Sequence, residues 1–325
     1  MTFWHAAAEW HKSFWRPVTL FLVAVIAAGC VTTTFYAQMW WSGTLQTARS
    51  NAEYSESGES LAACKRLNPT PEGRDICERT APLQRANDRE QLALAETHTP
   101  KAAAAQTLPG AFGWAAQALG TAPGLVLMLT LAAVHTAGEW RRRTATGLLL
   151  ADPDVRRHIA AKTLAVWSTV VATLVASGLS VYVFALLKGR RSYPLHELYL
   201  PRGAAWVDAA SMVAGALAIA AVWSLAAVSL AVATRSRART LVYGGALLLA
   251  LTWSSALPVW SWLPGGVLAE AMDVSSAWVM WNAWWPDPSP DAGAPFAVRA
   301  VLVSVAAGLA CWWLVRRART RAEAL

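Results

Sequence analysis

Gly138-Glu139-Trp140-Arg141-Arg142-Arg143-Thr144, continuing through Leu148-Leu149-Leu150-Ala151-Asp152-Pro153 to Lys162, is a dense positive cluster set between two long apolar runs. Lys and Arg concentrate where a membrane chain meets the cytoplasm, so this stretch marks an inner loop. Three consecutive leucines follow the arginines. A charged loop that also presents greasy side chains is what a docking site for a soluble partner needs.

Working outward, the chain of 325 residues is 55% hydrophobic and only 15% charged, with a mean hydropathy of +0.33, which places it in the polytopic membrane class. Apolar runs of about 20 residues suffice to cross a hydrocarbon core. Six are expected to do so: Pro17 to Trp41, Ala111 to Ala137, Ile159 to Leu187, Ala204 to Ala233, Leu241 to Trp260 and Ala294 to Val315. The fifth is the shortest and is interrupted by Pro258. The expected fold class is therefore all-α, a six-span membrane protein with a cytoplasmic helix between spans two and three. The chain divides at 1–41, 42–109, 110–187 and 188–325.

The net charge of +8 does not point to nucleic acid, because the charges hug the membrane ends. Arg156 and Arg157 join the first cluster, Arg235, Arg237 and Arg239 form a second, and Arg316, Arg317, Arg319 and Arg321 follow the last span. With Lys12 and Arg16, these lie on one side when both termini are cytoplasmic. Lys188, Arg190, Arg191 and Arg202, after span three, run against that pattern. The first apolar run is read as a retained span, since no small-x-small cleavage site precedes the polar region. Trp4, Trp10, Phe14 and Trp15 ahead of it suit the membrane interface.

Ser42 to Pro109 is the largest polar region and falls on the extracytoplasmic side of this topology. Leu45 to Leu67 and Pro82 to Glu96 have helix-favouring composition, broken by Asn68-Pro69-Thr70-Pro71-Glu72-Gly73. Few large apolar residues are available for a core, so a small helical region is expected. Cys64 and Cys77 flank the break, and a disulfide between them would suit an oxidising exterior. Cys30 and Cys311 read as packing residues within spans. From Trp253 to Trp285, seven tryptophans are punctuated by Pro258, Pro264, Gly265 and Gly266, and Pro286 closes the stretch. That pattern suits a helix pair dipping into the outer leaflet, or an aromatic belt.

Asp152-Pro153-Asp154 reads as a helix start, with Asp152 capping and Pro153 at the first helical position. Within the resulting segment, Gly138-Glu139-Trp140-Arg141-Arg142-Arg143-Thr144, Leu148-Leu149-Leu150-Ala151-Asp152-Pro153 and Ala160-Ala161-Lys162 resemble the ABC-2 type permeases, the membrane subunits of ATP-binding cassette exporters, in their actinobacterial form. The resemblance is sharp over Gly138 to Lys162; elsewhere it rests on span count and the broken hydrophobic stretch. It implies a coupling helix seated in a groove of a separate ABC ATPase. Glu139, Arg141, Arg142, Thr144, Leu148, Leu149 and Pro153 would face or position that contact. Arg143 departs from the pattern, standing where a small residue is expected before the Thr. The resemblance also implies a homodimer of this chain in the lipid bilayer of the cell membrane.

No G-x-x-x-x-G-K-[ST] loop occurs, and none of the five lysines has the glycines that cradle a nucleotide, so no cofactor is expected. His135 and Glu139 stand four residues apart near the inner edge; two ligands make a poor metal site, and an interfacial hydrogen bond is the expected role. Arg299 is expected to snorkel outward. Without paired catalytic groups or a nucleophile motif, an enzyme is not expected. The competing expectations are a membrane enzyme using Ser42 to Pro109 as a lid, and a ligand-sensing or resistance protein using it as a receptor.

Overall fold

A computed structural model describes residues 2–141, 154–193, 204–253, 267 and 296–323. Every regular element among them is helical. The first is the amphipathic α1 (Thr2–Phe14). Arg16 is extended and Pro17 takes the first turn of α2 (Pro17–Glu56), where a missing N–H leaves no gap in the helical bonding. α2 runs for 40 residues before Gly58, at φ +80°, turns the chain. At about 1.5 Å per residue it is roughly 60 Å long, while the hydrocarbon core of a bilayer is about 30 Å thick. Half of α2 therefore projects beyond any membrane it crosses.

The projecting half pairs with returning helices. α3 (Glu59–Leu67) leads to a turn at which the Thr70 hydroxyl accepts from the Gly73 N–H, capping α4 (Pro71–Ala104). On α2, Trp41, Leu45, Ala48, Ala52 and Ser55 are buried at alternating intervals of four and three, the spacing of a coiled-coil seam. On α4 the matching face carries Cys77, Ala81, Asp88, Ala95 and Thr99. These mostly small residues let the two backbones approach closely. Arg89–Glu56 and Arg49–Glu96 ion pairs fasten the rim, and Cys64 is disulfide-bonded to Cys77 at the tip. The result is a long antiparallel hairpin standing on the main helix bundle.

The bundle begins with α5 (Leu108–Gly120), capped by the Thr107 hydroxyl, which accepts from Gly110 N–H. Thr121 and Pro123 break the helix before α6 (Ala122–Leu131). At the break, a Cβ on Gly124 would lie 1.9 Å from the Leu119 carbonyl oxygen, so the kink depends on glycine there. A wide π turn, Ala132–Ala137, then leads into α7 (Gly138–Arg141). α8 (Val155–Phe184) comes next, widens through a π turn at Ala185–Gly189 and ends in Arg190–Ser192. α9 (Ala204–Thr234), α10 (Arg237–Trp253) and α11 (Phe296–Glu323) complete the described chain. Leu119, Leu125, Met128, Leu131, Val170 and Val228 build the main core among α5, α6, α8 and α9. The indole N–H groups of Trp167 and Trp223 cross between helices to the carbonyls of Leu217 and Leu125.

Five helical stretches among the described residues are long and apolar enough to cross a membrane: Pro17–Glu56, Ala122–Trp140, Val155–Ser192, Ala209–Thr234 and Val298–Arg317. Large apolar side chains face outward from them, including Phe21 and Val301. Such exposure is costly in water and natural against lipid. The helices are compatible with a multi-pass membrane protein.

Several boundaries differ from the sequence expectation. The first apolar helix does not stop at Trp41, because the seam of small residues carries it on to Glu56. The second run starts at Leu108 and is broken at Thr121. Asp154, not Asp152, caps α8, its carboxylate accepting from the Arg156 N–H. α10 starts at Arg237, four residues before the expected Leu241. Arg299 does not snorkel; it is buried at 4% exposure. Apart from Val267, the Trp-rich stretch beyond Trp253 lies outside the described residues.

Candidate functional site

The two ends of the basic segment meet in a buried ion cluster. Glu139, in α7, and Lys162, two turns into α8, are 23 residues apart in sequence. The Lys162 ammonium donates to Glu139 Oε1 at 2.7 Å, and Lys162 is only 1% exposed. Two residues of α1 complete the cluster. Glu9 accepts from Lys162, and Lys12 donates to Glu139 Oε1 at 3.0 Å. Two carboxylates and two ammonium groups balance, as buried charge requires.

Local sequence explains the convergence. Glu9 and Lys12 stand one turn apart on α1 and lie 3.9 Å from each other. α1 lies across the beginning of α8, which places that face over Lys162. Glu139 is delivered by the π turn. An extra residue in the Ala132–Ala137 turn rotates α7 about the helix axis, which changes the partners of groups four apart. His135 makes its hydrogen bond to α2 instead. Its Nε2 lies 2.9 Å from Thr19 Oγ1, and the Thr19 hydroxyl donates to the Ser13 carbonyl. With that hydroxyl proton committed, Nε2 is assigned as the donor to Thr19. A small cavity lined by Ser13, Leu131, His135, Thr136, Lys162, Ala165, Val166 and Thr169 adjoins the cluster.

The second basic group reaches the same place. Arg235 takes a left-handed backbone, φ 53°, between α9 and α10. Its guanidinium lies over the Trp140 ring, 4.7 Å from the centroid. Arg237 approaches so closely that a Cβ on Gly138 would sit 2.5 Å from its Nη2. Ser236 anchors the turn by accepting from both the backbone N–H and the hydroxyl of Thr240. Gly138, Glu139 and Trp140 are thus held by α1, α8 and the α9–α10 turn together.

Of the residues expected to face a partner, Glu139 is in this cluster and is 5% exposed, so it positions the segment from within. Arg141 ends α7. Arg142, Thr144, Leu148, Leu149 and Pro153 lie outside the described residues. Glu9, Arg235 and Arg237 were not singled out from sequence for this role. One signal for Glu9 was available: it is the only acidic residue before Glu53, in a segment rich in aromatic residues whose other charges are basic. Among the described residues no group of three or more metal-ligating side chains occurs. No family model matches the chain, and neither a curated protein nor a solved structure matches it.

Proposed function

We propose that this chain is the membrane-spanning permease subunit of an ABC-2 type exporter, moving a hydrophobic or amphipathic substrate with energy from a separate ABC ATPase. In this reading six helices span the cell membrane, both termini are cytoplasmic, and the hairpin of α2, α3 and α4 stands outside. Two copies of the chain enclose the path and each engages one ATPase.

The observation that carries the proposal is the buried Glu139–Lys162 pair. The residues that open and close the basic segment are bonded to each other and to α1. A push applied to Arg142–Pro153 by a nucleotide-driven partner would therefore load spans two and three and the interfacial helix as one unit. A loop built only to end two membrane helices needs no such buried charge, which costs several kcal/mol of desolvation per ion before pairing offsets it.

The test is co-expression of the tagged chain with ABC ATPase subunits, the one encoded nearest first, with purification in detergent. The ATPase should elute in a one-to-one ratio with the wild-type chain. Leu148→Glu with Leu149→Glu should abolish that association, since two apolar contacts with the partner would be replaced by charge. Undiminished association of the double variant would count decisively against the docking role.

A further inference from the structure

Of the cations that run against the charge pattern, Lys188, Arg190 and Arg191 lie at the hairpin end of the bundle, around the π turn that closes α8. Arg190 is half-buried and committed to structure: its Nε and Nη2 donate to the Gln106 carbonyl at 3.2 and 2.8 Å. Gln106, fully buried, in turn donates to the Tyr193 carbonyl at 2.6 Å. Lys188 and Arg191 are exposed. Lys188 sits 5.5 Å from the centroid of the Phe35 ring, and Phe35 also meets Phe184 and Tyr193 edge-on. Among the described residues none of these three cations has a carboxylate partner. On α2, the carboxamide of Gln38 is fully buried beside Gly189, with neither its oxygen nor its nitrogen hydrogen-bonded. Polar capacity and positive charge are concentrated here without a counter-charge among the described residues.

The depth of the cluster points to a source for that charge. Immediately below it, Val183 at the end of α8 and Leu186 and Leu187 in the π turn are exposed, Leu187 at 70%. Exposed Trp40 marks the adjacent boundary on α2, where indole rings favour the headgroup region. An aliphatic strip capped by cations at that depth matches a lipid, with acyl chains below and a phosphate above. A soluble anion would make no use of the leucines.

We propose that Lys188 and Arg191 hold the phosphate headgroup of an anionic phospholipid whose acyl chains lie along Val183, Leu186 and Leu187. Phe35 and the Arg190–Gln106–Tyr193 network set the height and direction of the two cations. The site rests on the helices crossing a bilayer and not on the transport reading, so it stands or falls separately from any ATPase. It also gives these juxtamembrane cations a counter-charge, which comes from lipid.

The test is native mass spectrometry of the delipidated full-length chain titrated with phosphatidylglycerol or phosphatidylcholine. Wild type should bind phosphatidylglycerol on the order of tenfold more tightly, the effect of two juxtamembrane cations. Lys188→Gln with Arg191→Gln should erase that preference. Arg66→Gln with Arg74→Gln, at the far end of the hairpin, should retain it and show that lost charge alone is not the cause. Lys188→Arg with Arg191→Lys should retain it too. Equal binding of the two lipids by wild type would overturn the proposal, as would an undiminished preference in the Lys188→Gln, Arg191→Gln chain. Displacement of the lipid by equimolar inorganic phosphate would reassign the cations to a soluble anion and overturn it as well.

Discussion

At the residue scale, Lys162 is the group whose loss should cost most. It is almost fully buried and answers two carboxylates, Glu9 and Glu139. Lys162→Met takes the buried cation from both, and Lys12, whose side chain is 47% exposed, is correspondingly screened and replaces it poorly. Removing one partner of a buried pair typically costs about 3–5 kcal/mol, because the other charge stays desolvated. Glu9→Gln added to Lys162→Met restores charge balance around Lys12 and Glu139, and should recover more than half of the loss. Thermal unfolding in detergent, monitored by tryptophan fluorescence, reads both effects; a Lys162→Met chain as stable as wild type would show that the cluster holds nothing. The sequence made Glu139 and Lys162 visible as the ends of one segment. It did not show that they touch, since a 23-residue separation leaves their distance in space undetermined.

At the element scale, the hairpin shows how hydropathy and helix length part company. A polar composition after Trp41 reads as the end of a span, yet Leu45, Ala48, Ala52 and Ser55 continue a seam that α4 covers. Helices end where hydrogen bonding or the partner surface ends, not where hydrophobicity falls. The tip is held by the Cys64–Cys77 disulfide, whose Cα atoms are 5.9 Å apart. Closing so short a loop stabilises by about 2–3 kcal/mol through lost freedom of the open chain. Cys64→Ser with Cys77→Ser should therefore speed proteolysis between Glu59 and Pro82 several-fold, while leaving detergent-extracted yield of the bundle unchanged. Identical cleavage rates would mean that the α2–α4 seam alone secures the tip. The π turns at Ala132–Ala137 and Ala185–Gly189 had no sequence signature, because an inserted residue changes hydrogen bonding without changing composition.

At the scale of the whole molecule, the ion cluster sits at one end of the bundle and the hairpin at the other. Cys311, in α11, lies against the Val222 carbonyl of α9. In the proposed topology both of these helices run inward, so the end of α11 belongs with the ion cluster. A single cysteine at Glu72→Cys, on the hairpin, should react with a membrane-impermeant maleimide in intact cells. One at Thr320→Cys should react only after permeabilisation. Labelling of both from the same side would dismantle the spanning arrangement, whatever the chain transports.

Composition and patterning alone determined that this is a helical chain with apolar runs long enough to cross a membrane, a basic segment between two of them, a long polar excursion and a cysteine pair within it. Those properties depend on transfer free energy and local chain chemistry, which each residue carries with it. The tertiary structure alone decided that Glu9, Lys12, Glu139 and Lys162 form one ion cluster, that Arg235 covers Trp140, and that Lys188 stands over Phe35. Such pairings depend on how long helices are kinked, widened and stacked, and those geometries are settled by packing between segments distant in sequence.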